Sequence, residues 1–159
     1  MYNFNYHRPD SLDQAAAALS GASDGMLMAG GMTLIPTLKQ RLAGPSDVVD
    51  LGAIGVLAGI TVGDGKVVIG AMTRHVDVAN SAEVKANIPA LASLASHIGD
   101  AQVRNRGTIG GSVANDDPAA DYPSAVLGLG ATVQTNQREI AADDFFDGLF
   151  TTSLNEGEI

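Results

Sequence analysis

The chemistry this sequence could carry centres on two pairs of adjacent glycines, Gly30-Gly31 and Gly110-Gly111, where backbone can approach a ligand closely. With 19 glycines in 159 residues chance alone gives about two adjacent pairs, so only their context informs. The first pair follows the apolar run Met26 to Ala29, which reads as a buried strand. It precedes Thr33, which reads as the N-cap of a helix carrying Leu34, Ile35, Leu38 and Leu42, with Pro36 tolerated in the first turn. The N–H groups of Gly31, Met32 and Thr33 would then converge at a helix N-terminus, a site that favours phosphate. The pattern is neither G-x-G-x-x-G nor a P-loop, and an ordinary tight strand–helix turn is the competing reading.

The second pair lies in Gln102 to Pro123, a long stretch with little helix or strand periodicity, and long irregular segments in compact domains are often functional. Thr108 and Ser112 supply hydroxyls, and Arg104 and Arg106 supply cations. Asp116, Asp117 and Asp121 supply carboxylates, one of which could accept from sugar hydroxyls. A solvated acidic loop is the alternative. Other constellations are weaker. His7, His75 and His97 lack metal-ligand spacing, Asp116-Asp117 lacks a paired metal motif, and Ser112 has no evident base partner. Met26, Met28 and Met32 read as core. No residue is assigned a catalytic role, and no metal site is expected.

The elements that must position these residues follow from hydrophobic period and turn chemistry. Ser11 to Gln14 has capping-box spacing, and the Ala-rich run to Leu19 ends at Gly21, which predicts a short helix. Val48, Val49 and Leu51 predict a strand, so residues 26–51 form a small βαβ unit and a first lobe closes near Gly52. Residues 60–69 predict a hairpin across Asp64-Gly65. Helices are expected after Thr73 and from Pro89 to Ile98, with a second hairpin across Asn136 and a helical turn over Asp143 to Phe146. The class is α+β, with lobes at 1–52 and 53–159.

Composition narrows the function. A net charge of −9 would repel nucleic acid and anionic lipid. The absence of cysteine excludes disulfides and an iron–sulfur cluster held by this chain. The start lacks a signal-peptide pattern, and the run from Met26 to Leu38 is too short and interrupted to span a bilayer, so a soluble, cytoplasmic location is expected.

Ala29-Gly30-Gly31-Met32-Thr33-Leu34-Ile35-Pro36 resembles the first FAD motif of the medium subunits of molybdenum hydroxylases, of the carbon monoxide dehydrogenase and xanthine dehydrogenase type. Gln102 to Asn105, with Thr108-Ile109-Gly110-Gly111-Ser112-Val113-Ala114-Asn115-Asp116-Asp117-Pro118-Ala119-Ala120-Asp121, resembles the second. Phe4 to Pro9 resembles the family's opening and Phe145-Phe146 also fits, so the likeness runs the length of the chain.

The resemblance implies a two-lobed flavin domain, a small α/β lobe beside a larger one built on an antiparallel sheet, with FAD between them. It implies that Leu27, Met28, Ala29, Gly30, Gly31, Met32, Thr33 and Leu34 wrap the pyrophosphate with main-chain N–H groups. Thr108, Ile109, Gly110, Gly111 and Ser112 would form the other side, Ile109 near the flavin ring. Asp121 would bind the adenosine ribose and Ile98 would occupy a wall position. Electrons would arrive from iron–sulfur clusters on a small subunit, and the substrate would be oxidised at a molybdenum cofactor on a large subunit. The family continues past Ile159 into a C-terminal domain, so the chain is expected to lack that domain and to bind FAD weakly or fold without it. Two other functions compete. One is a self-contained FAD-dependent oxidase, disfavoured because no His or Cys stands beside either glycine motif to link the flavin. The other is a cofactor-free binding or assembly domain.

Overall fold

A computed structural model describes all 159 residues. The N-terminal part folds as β1 (Asn5–His7), α1 (Leu12–Ser20), β2 (Gly25–Met28), α2 (Leu34–Lys39) and β3 (Asp47–Asp50). The three strands form one parallel sheet in the order β1-β3-β2. Val48 and Val49 on the central strand are fully buried, as β-branched residues suit a strand covered on both faces. Ser11 caps α1 by accepting from the Gln14 N–H at 3.4 Å. The Gln14 side chain accepts from the Asp10 N–H, so the reciprocal half of a capping box is displaced by one residue.

The β2-α2-β3 crossover matches the expected βαβ unit. Two details of α2 depart from expectation. Thr33 makes no side-chain cap, because its own φ of −96° and ψ of −47° are already helical and an N-cap needs extended backbone. The helix also stops at Lys39, so Leu42 lies 75% exposed instead of on its buried face.

Two short 3-10 turns, Leu51–Ala53 and Gly55–Leu57, lead into the antiparallel pair β4 (Ile60–Gly63) and β5 (Lys66–Ile69). Asp64 and Gly65, at φ 51° and 72°, make the left-handed two-residue turn that matches strand twist. Then follow α3 (His75–Asn80), α4 (Ala82–Asn87), α5 (Pro89–His97), α6 (Ala101–Arg104), α7 (Ile109–Asn115) and α8 (Asp121–Gly128). The pair β6 (Thr132–Gln134) and β7 (Glu139–Ala141) and the turn α9 (Ala142–Phe145) complete the chain's elements.

The stretch from Gln102 to Pro123 is therefore mostly helical, which corrects the irregular segment expected there. Two glycines in α7 mask its period, and they cost about 1 kcal/mol each relative to alanine. Thr108 offsets part of this by capping the helix through the Gly111 N–H, and Val113 anchors it in the core. Antiparallel pairing in the second half consists of two hairpins and two isolated bridges, Arg74 with Thr108 and Phe146 with Thr152. Between the hairpins the larger core is chiefly helical: Val78, Val84, Leu91, Ala92, Ala95, Val113, Tyr122, Ile140 and Phe145. A smaller cluster of Ala15, Val49, Leu51 and Ile54 lies on the parallel sheet, with Leu27, Met72 and Ile159 packed against it.

Candidate cofactor-binding cleft

The two glycine-bearing segments meet. A β-carbon on Gly30 would collide with the Arg106 carbonyl oxygen and lie 2.8 Å from Gly107 Cα. One on Gly111 would lie 3.0 Å from the Ala29 side chain. Gly110 is pressed in the same way against Ala71, whose carbonyl accepts the Gly110 N–H at 2.8 Å. Gly31 is needed for a different reason, its φ of +75°. Close chain-to-chain contact therefore explains three of these glycines, and a left-handed turn explains the fourth.

Beside this junction opens a cleft of about 760 Å³. Ala29, Gly30, Gly31, Met32, Thr33 and Leu34 line one wall. None of their six main-chain N–H groups has a hydrogen-bond partner within the chain. Successive unpaired donors of this kind form an anion-binding concavity. The opposite wall is built differently. The N–H groups of Ile109 and Gly110 donate to the Thr73 and Ala71 carbonyls, that of Gly111 to Thr108 Oγ1, and that of Ser112 to the Thr108 carbonyl. The amides of Ile109 to Ser112 are thus already engaged within the chain. What the second wall presents is its surface and the Ser112 hydroxyl, which makes no hydrogen bond within the chain.

Of the residues expected at the site, Leu27, Ala29 to Leu34, Ile98, Thr108, Gly110, Gly111 and Ser112 line the cleft together. Three do not. The Met28 side chain turns behind Gly31, with its sulfur 3.5 Å from where a β-carbon would sit. Ile109 packs on the larger core. Asp121 is exposed in the first turn of α8, and of the three nearby acids it is Asp117 that lines the cleft. Arg104 donates to the carbonyls of Ile98 and Gly99 and so braces the start of α6, while Arg106 faces a second cavity.

No Lys or Arg lines the cleft; its charged or titratable residues are His75, Asp117 and Glu158. A diphosphate there would be held by dipoles alone, which the unpaired amides supply. In donors, shape and size the residues fit a dinucleotide.

Sequence reasoning missed two further features. Residues Leu154, Asn155 and Gly157 to Ile159 form part of the wall. They are held by Glu158, which accepts from Arg138, Thr135 Oγ1 and the Asn155 N–H, so its carboxyl pKa falls to about 2. Nothing in the local pattern marks a contact between residues 20 apart in sequence. His75 is 4% exposed and packs on Tyr122, with ring centroids 5.3 Å apart. Both His75 Nδ1 and Tyr122 Oη lack partners, and burial lowers the His75 pKa and raises that of Tyr122. The imidazole edge abuts Gly107, and the His75 N–H donates to the Gly107 carbonyl, so this buried histidine backs the second segment.

A parallel βαβ unit whose turn leaves its amides unpaired beside a cation-free cleft has the form of a dinucleotide-binding domain. Residues 2–159 match the family described as FAD binding domain in molybdopterin dehydrogenase, and the chain belongs to that family. It is 42% identical over 161 residues to the carbon monoxide dehydrogenase medium chain of Hydrogenophaga pseudoflava, covering 98% of this chain and 56% of that one. It is 39% identical over 160 residues to the glyceraldehyde dehydrogenase medium chain of Sulfolobus acidocaldarius, covering 98% and 57%. Among solved structures, Hydrogenophaga pseudoflava carbon monoxide dehydrogenase lacking the Mo-pyranopterin moiety matches with a TM-score of 0.96 at 42% identity, over 99% of this chain and 56% of that one. Quinoline 2-oxidoreductase from Pseudomonas putida 86 matches with a TM-score of 0.96 at 35% identity, over 99% and 56%. The chain thus spans about half the length of the curated relatives it matches. No helix is long and apolar enough to cross a membrane.

Proposed function

We propose that this chain is the FAD-binding part of the medium subunit of a molybdenum hydroxylase complex, whose partners are an iron–sulfur small subunit and a molybdenum-cofactor large subunit. Relatives named as medium chains of dehydrogenases support this reading. When bound, FAD supplies the redox chemistry, passing electrons from the iron–sulfur clusters to an acceptor. The chain's own residues bind and orient. The observation that carries the proposal is the run of six unpaired amides from Ala29 to Leu34 facing a cleft without cations.

Leu27 to Leu34 wrap the diphosphate, and hydrogen bonds to charge from the unpaired amides of Ala29 to Leu34 are worth about 1.5–3 kcal/mol each. Thr108 to Ser112 close the opposite side by contact and through the Ser112 hydroxyl. Ile98 supplies an apolar wall, and Ile109 fixes the start of α7 behind the flavin position. Asp121, four residues beyond the lining Asp117, accepts from the adenosine ribose hydroxyls. The small lobe is residues 1–52 and the larger lobe 53–159, with FAD between them.

Titration of FAD into the chain, followed by quenching of flavin fluorescence, tests the reading. Saturable binding at one FAD per chain is expected. Flavin fluorescence that stays unchanged at millimolar chain would leave a cofactor-free assembly domain as the better account.

A further inference from the structure

A second cavity, of about 410 Å³, lies across the Gly30–Arg106 junction from the flavin cleft. It sits where ligands commonly bind in open parallel sheets, at the carboxyl ends of the strands: Arg8 follows β1, Gly30 follows β2 and Asp50 ends β3. From the facing side come Arg74, just before α3, Asp77 within it, and Arg106. Only four of its 13 lining residues are hydrophobic. Three of the chain's nine Lys and Arg residues gather here, in a protein of net charge −9.

The two acids that line it, Asp50 and Asp77, offset only part of this charge, Asp50 by an ion pair with Arg8. Asp50 accepts from the Tyr6 hydroxyl and the Gly52 N–H, with Arg8 at 4.0 Å. Arg74 and Arg106 form no ion pair and no side-chain hydrogen bond. Arg74 and Arg106 are exposed at the cavity's lining, and unpaired guanidinium forks on a polar cavity are suited to bidentate recognition of an oxyanion.

We propose that this cavity is an oxyanion site, distinct from the flavin cleft, which takes the phosphate or carboxylate group of a small molecule between Arg74 and Arg106, with Arg8 at its rim. The Ala29–Gly30 and Thr108 backbone forms the wall shared with the flavin cleft. The site stands independently of whether the larger cleft takes FAD.

Calorimetric titration with inorganic phosphate and, separately, succinate tests it, each with and without saturating FAD. Saturable binding of at least one anion is expected in the presence of FAD. Phosphate alone assigns a phosphate site, succinate alone a carboxylate site, and both a general oxyanion site. Arg74→Gln with Arg106→Gln should weaken binding at least about tenfold. Arg74→Lys with Arg106→Lys, which keeps charge but loses the fork, should weaken it less. Lys66→Gln with Lys85→Gln, an equal loss of charge on exposed positions elsewhere, should leave it within about twofold. Equal weakening by both Gln pairs, stoichiometric displacement of the anion by FAD, or no saturable binding of either anion would overturn the proposal. Thermal unfolding shows that each variant is folded.

Discussion

At Gly30 even a methyl group has nowhere to go, because the facing atoms are the Arg106 carbonyl and Gly107 Cα, and backbone cannot swing aside as a side chain can. Gly30→Ala should therefore cost about 1–3 kcal/mol in urea unfolding, in the range of an overpacked core. Gly63→Ala, where nothing lies within 4 Å, should change stability by less than about 0.5 kcal/mol. Equal costs at the two positions would remove the steric account of the junction. The sequence marked Gly30 and Gly31 through their place between strand and helix. It could not separate their roles, since one is set by a positive φ and the other by a segment more than 70 residues away.

Helix α7 shows how an element can hide. Ile109-Gly110-Gly111-Ser112 has poor intrinsic propensity, and its cap residue Thr108 gains meaning only once Thr73 and Ala71 receive the next two amides. The same tertiary pairing removes those amides from ligand binding, which no local pattern could reveal. By contrast α1, α5 and both hairpins carry their signals locally, in Ser11, Pro89, Asp64-Gly65 and the turn at Asn136, and stand where those signals put them. The terminal segment belongs with α7. Its place on the cleft depends on Glu158, whose carboxylate accepts from Arg138, Thr135 and the Asn155 amide. Glu158→Gln should speed hydrogen exchange at Asn155 and Ile159, the latter held by Asn136, without altering exchange in α5. Unchanged exchange at those two amides would show that the ion pair does not hold the segment.

On the scale of the whole molecule, the buried His75 links pH to stability. Burial lowers its pKa from the ordinary 6.5, so the unfolded chain binds this proton more readily than the folded one. The contribution is complete above the unfolded value and is lost as pH falls below about 6.5. Glu158, held at about 2, acts in a separate window, its stabilisation fading as pH falls below the ordinary 4.5. His75→Phe keeps the ring beside Tyr122 and should flatten the stability change between pH 7.5 and 5.5 in urea unfolding. An undiminished slope in that variant would assign the effect elsewhere. The central claim concerns how one wall of the cleft, and not the other, meets the diphosphate of FAD. Amide proton–nitrogen NMR spectra during an FAD titration test it most directly. Downfield shifts at Gly30, Gly31, Met32, Thr33 and Leu34 are predicted, with smaller changes at Ile109, Gly110 and Ser112, whose amides are already bonded. Saturable FAD binding that leaves the first group unshifted, or that shifts only the second, would contradict it.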